Sequence, residues 1–132
     1  MEEKYHNMLY KMCGSGYCYA DVLGGWTKII IDMYTNLKVF LDHGVTINSI
    51  KSTQGVLSVS FLYSDNLSYE DRQEVNDIIG DAEKKARCTC EICGIEINNV
   101  SIRVINNQRF NKKVFNLCDF CDDKVRYDDY YR

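Results

Sequence analysis

The sequence predicts an α+β fold: a helix, a β-hairpin and a second helix forming a small core, followed by a C-terminal four-cysteine zinc ribbon. Three observations carry that reading. Apolar residues recur at three-four spacing from Trp26 to Leu41 and again from Val75 to Ala86. Two alternating runs lie between them and meet at Thr53, Gln54 and Gly55. Two C-x-x-C pairs, Cys90 with Cys93 and Cys118 with Cys121, stand near the end. The expected division is an α+β core over residues 1–87, then the ribbon and an acidic aromatic tail over 88–132.

In the first helix, Trp26, Ile29, Ile30, Met33, Tyr34, Leu37, Phe40 and Leu41 fall on one face. Gly24 and Gly25 mark its entrance, and His43 and Gly44 its exit, with glycine free to take the left-handed cap conformation. Trp26 continues the apolar stripe, so core packing is favoured over an exposed anchor. VTINSIKS then reads as a strand, TQG as a turn, and VLSVSFLY as a strand with Leu57, Val59, Phe61 and Tyr63 on one side. Ser68 with Asp71 approximates a capping box, and Val75, Ile78, Ile79, Ala82 and Ala86 carry the second helix into the cysteines. VSIRVI and KVFNL form a hairpin between the cysteine pairs, joined by NNQRFNK. The final DDKVRYDDYYR is expected to add a helical turn and fray.

At 132 residues the chain has room for one compact core and a small appendage, and its 45% hydrophobic content is enough to fold it. It starts without the basic and apolar regions of a signal peptide, and no segment reaches the roughly 20 apolar residues of a membrane helix. A cytoplasmic protein is expected, with reduced thiols that bind metal. Seven cysteines cannot all pair within one chain, which argues further against a disulfide framework.

Each C-x-x-C pair lets two thiolates converge from one tight turn onto a single ion, and Gly94 permits the bend after the first pair. Cys90, Cys93, Cys118 and Cys121 are therefore the predicted ligands of a structural zinc. All four tetrahedral positions would be filled by protein, leaving none open for catalysis. Cys88 could exchange with Cys90, which is preferred on spacing. Cys13 and Cys18 near His6 are read as loop or short strand rather than a second site.

Enzymatic readings fall away. A zinc deaminase needs H-x-E and P-C-x-x-C, but proline is absent and the histidines are only His6 and His43. A thioredoxin-like pair would not have an equivalent partner pair elsewhere, and no phosphate loop or G-x-S-x-G appears. Asp65, Glu70 and Asp71 read as capping and solvated residues. The expectation is no enzyme.

Net charge is −3, which favours a protein partner over nucleic acid. Asp122, Asp123, Tyr127, Asp128, Asp129 and Tyr130 make an acidic aromatic surface suited to a basic partner, weighed against a merely solvated tail. The local exception is Arg103, Arg109, Lys112 and Lys113 between the cysteine pairs. They are either a solvated hairpin or a phosphate-binding surface, the alternative reading.

Three stretches also resemble a group of small phage, prophage and bacterial proteins: GGWTKII at 24–30, IKSTQGVLSVSFLY at 50–63, and the zinc module from Ala86 to Cys121. In these relatives the second stretch reads V-K-E-K-F-G-G-L-R-F-Y and the zinc module often ends in C-x-x-H. Here Lys51 is kept, the residues after it differ, and Cys121 stands in place of the histidine. The resemblance implies a mobile-element accessory protein that binds and blocks a host factor. The most concrete version is inhibition of a defence nuclease in a bacterial cytoplasm, in the manner of an anti-CRISPR protein.

Overall fold

The computed structural model describes residues 19–97, 99–107 and 109–127. Its strands are β1 (Tyr19–Asp21), β2 (Val45–Thr53), β3 (Val56–Tyr63), β4 (Ser101–Ile105) and β5 (Lys113–Leu117), and its helices are α1 (Thr27–Leu41), α2 (Tyr69–Arg87) and α3 (Asp119–Tyr127). A 3-10 turn, Gly24–Trp26, leads into α1. The fold is α+β, with the helix, hairpin, helix and cysteine module in the predicted order. Cys13, Cys18 and His6 lie outside the described residues, as do Asp128, Asp129 and Tyr130.

The first sheet has the order β1-β2-β3. β2 and β3 form the antiparallel hairpin, closed at Gln54 (φ 55°) and Gly55 (φ 80°), both left-handed as a type I′ turn demands. β1 adds in parallel, Tyr19 opposite Ser49 and Asp21 opposite Lys51, so α1 serves as the crossover between two parallel strands.

One face of this sheet carries α1 and α2. Ile30, Met33, Tyr34 and Leu37 from α1 meet Val75, Ile79 and Ala86 from α2 over Val45, Ile47, Ile50 and Leu57. Trp26, at the start of the stripe, is wholly buried in this core, as its alignment predicts. In β2 the buried residues are two apart at Val45 and Ile47 but three apart at Ile50. The register shift between Ile47 and Ser49 accounts for this: a bulge returns Ile50 to the core face, where strict alternation would turn it to water.

α2 begins as the capping signal predicts, with Ser68 Oγ accepting a hydrogen bond from the Asp71 amide at 3.1 Å. At its other end the chain enters the cysteine module. There a second apolar cluster gathers Cys90, Ile105, Leu117, Cys118, Cys121 and Val125 beneath the β4–β5 hairpin. α3 starts right after Cys118, earlier than the tail reading expected, so the second cysteine pair sits at a helix entrance.

Candidate metal centre

Two turns bring the four cysteines together. In the first, the Cys90 amide donates to Ile95 O and the Gly94 amide donates to Cys90 O, each at 3.0 Å, folding the chain back on itself. Gly94 closes the turn at φ 79°, a left-handed position where a side chain would be strained. In the second, the Asp122 amide donates to Cys118 O at 2.9 Å and the Cys121 amide points at Cys118 Sγ at 3.4 Å. The first turn of α3 thus aims both of its thiols the same way.

All four Sγ atoms lie within 4.8 Å of one another, and Cys93 Sγ is 3.7 Å from Cys118 Sγ. A metal–sulfur bond of about 2.3 Å in tetrahedral geometry sets neighbouring sulfurs about 3.8 Å apart. A disulfide would need about 2.05 Å. The spacing therefore fits four thiolates around one ion. Cys90, Cys118 and Cys121 are buried and Cys93 is exposed, while Cys88 is exposed and stands outside the cluster.

Charge explains why such a cluster wants a cation. Burial and the neighbouring charge of Cys90 push the Cys121 thiol far above its ordinary range, and burial raises Cys93 as well. Burial would also raise Cys90, but backbone hydrogen bonds from Cys93, Cys118 and Ile92 outweigh it and hold Cys90 below the usual value. A thiolate is tolerated at Cys90, whereas those at Cys93 and Cys121 are opposed by burial and by their neighbours. A divalent ion removes that opposition and lets all four coordinate.

No family model, curated protein or solved structure matches the chain. The site is therefore built from its own residues alone.

The residue between the first two ligands, Glu91, is the one the sequence reading passed over. Its side chain is buried, with a relative exposure of 1%. One carboxylate oxygen accepts from the Ser52 hydroxyl in β2, and the other accepts from the Asn116 amide in β5 at 2.6 Å. Burial pushes this carboxyl above the usual carboxylate range, opposed by those two hydrogen bonds. Its backbone is tied too: the Glu91 amide donates to Asn116 O at 2.9 Å, and Glu91 O accepts from the Gly25 amide at 2.7 Å. Trp26 Nε1 donates to Thr89 O at 2.8 Å, and the Asn116 side chain donates to Ala86 O and Arg87 O, satisfying carbonyls at the end of α2. The GGW, KSTQG and CEICG stretches, far apart in sequence, meet at this seam between core and ribbon.

Of the predicted surface residues, Asp123 and Tyr127 are exposed on α3. Asp122 is drawn inward: it pairs with Arg103 at 3.0 Å and Arg126 at 2.8 Å, and its side chain is only 15% exposed. Arg103 also pairs with Asp119 at 2.8 Å. Its guanidinium is thus committed to holding α3 against β4 rather than offered to phosphate. Arg109 stacks over Phe110, and Lys112 and Lys113 are exposed. Phe120, absent from the sequence-derived surface, is 73% exposed. Its place at i−7 from Tyr127 on one helical face is the signal that could have found it. Among the described residues no helix is long and apolar enough to cross a membrane.

Proposed function

We propose that the chain is a non-catalytic, zinc-stabilised accessory protein of phage type that binds and blocks a host protein through the outer face of α3. Four cysteine sulfurs at tetrahedral spacing suit zinc as a structural ion with no open coordination position. The observation that carries the binding role is the pair Phe120 and Tyr127, 73% and 70% exposed. Seven residues apart, they share a helix face with Asp123 and Lys124, while Cys121 and Val125 face inward. Large aromatic side chains exposed on a rigid element are the usual anchors of a protein interface. Here the rigidity comes from the metal turn and from the Arg103–Asp122–Arg126 ion pairs.

The partner's chemistry follows from charge. On this face Asp123 is balanced by Lys124 and Asp119 is paired with Arg103, so it is the chain's net charge of −3 that favours a basic surface, such as the nucleic-acid channel of a defence nuclease. An anti-CRISPR-like inhibitor is the form this reading takes.

The test is affinity capture from nuclease-treated bacterial lysate at moderate salt, with wild type beside the F120A/Y127A double variant. A single enriched protein, lost with the double variant at unchanged metal content, is the expected result. Equal capture by both, or none by either, would overturn the α3 reading. Elemental analysis of the purified chain is expected to find one zinc; iron in its place would colour the protein.

A further inference from the structure

We propose that the cleft between the β2–β3 turn and the ribbon hairpin is a binding site for a nucleotide. Among the described residues only two non-glycine positions hold a left-handed backbone, Gln54 at φ 55° and Lys112 at φ 53°. Both line this one cleft. A left-handed L-residue costs about 1–2 kcal/mol. The type I′ turn sets the left-handed position of Gln54, where Asn, Asp or Gly would be the less strained occupant, and Lys112 is the last residue of the loop that joins β4 to β5. Strain of this kind concentrates at ligand sites, where the surrounding structure enforces it.

The walls come from both halves of the molecule and are held in register. Glu91 and Ser52 line the cleft floor, where the Glu91 carboxyl ties Ser52 to Asn116, and a Cβ on Gly55 would lie 3.2 Å from the backbone carbon of Phe115, so turn and hairpin are already in contact. The site needs no folding step to form, which lowers the cost of binding. Its volume, about 480 Å³, falls within the range of small-molecule pockets.

The lining names the ligand class. Lys112 and Lys113 supply two ammonium groups for a phosphate. The carboxamides of Gln54 and Asn111 each offer a donor and an acceptor side by side, the pattern that reads the edge of a nucleobase. Leu23 and Phe110 give an apolar wall for its flat face. A bare anion would use only the lysines, and an uncharged apolar ligand would leave them unused. This site is separate in its residues from the α3 face, so either proposal can fail alone.

The test is titration of the zinc-loaded, ¹⁵N-labelled full chain with AMP, with adenosine and inorganic phosphate as separate probes. AMP is expected to give saturable shifts at Gln54, Gly55 and the Asn111–Phe115 amides, with each fragment binding more weakly. K112A/K113A is expected to weaken AMP about tenfold, with metal content and Tm unchanged. Lys112→Gly separates strain from function, since it removes the strained side chain: Tm is expected to rise while affinity falls. No saturable shift, shifts elsewhere, phosphate binding as tightly as AMP, or an unaffected double variant would each overturn the proposal. A 5′-phosphorylated tetranucleotide binding more tightly than AMP would overturn the free nucleotide in favour of a strand end.

Discussion

Gly25 and Gly80 are the same residue type with opposite meanings. A Cβ at Gly25 would sit 2.1 Å from Cys90 O and 2.5 Å from the Glu91 carbonyl carbon, both backbone atoms of the metal turn. Neither can move without disturbing the ligands, and the Gly25 amide would lose its bond to Glu91 O. Gly25→Ala is expected to destabilise the protein by about 3 kcal/mol, read by urea unfolding. A Cβ at Gly80, inside α2, meets nothing within 4 Å. Gly80→Ala is expected to stabilise it by roughly 0.5–1 kcal/mol in the same assay, because alanine loses less backbone freedom in a helix. Glu91 makes a parallel point. In CEIC it reads as one more surface acid, and only the approach of Ser52 and Asn116 from distant strands makes it the buried joint.

At the scale of elements, α1 and α2 were legible because each is long enough to show its period and its cap. The β2–β3 hairpin was legible from alternation and turn chemistry, although the bulge near Asn48 could not be read from pattern alone. β1 was not predicted as a sheet strand: three residues are too few to show a period, and pairing with β2 across α1 decides it. α3 was only partly anticipated. Its nine residues are too short to hold helical form by themselves. The cysteine turn at its start, closed by the Asp122 amide on Cys118 O, and the ion pairs to Arg103 supply what propensity does not. Cys118→Ser is therefore expected to lower metal content and to speed amide hydrogen exchange in α3 and in β4–β5, with exchange in β3 changing least. Full metal retention with unchanged exchange would contradict the ribbon assignment.

At the scale of the molecule, two apolar clusters share one seam, and the cysteine quartet lies on the ribbon side of it. The single tryptophan reports on that seam, since its ring is buried in the first cluster while its N–H is bonded to Thr89 O, next to the first ligand. Chelation of the metal is expected to shift Trp26 emission to the red and to lower Tm by about 10 °C or more. Unchanged emission on full metal loss would mean that the ribbon loosens without opening the core. The sequence by itself determined the element order, the core-facing stripes and the metal quartet. Each depends on periodicity or on ligand pairs close in the chain. Only the tertiary structure decided that Glu91 and Asn116 join the two halves, that Arg103 and Asp122 neutralise each other, and that Gln54 and Lys112 face one cleft. A charged or polar side chain's fate depends on which distant groups desolvate or pair it, and local pattern carries no record of that.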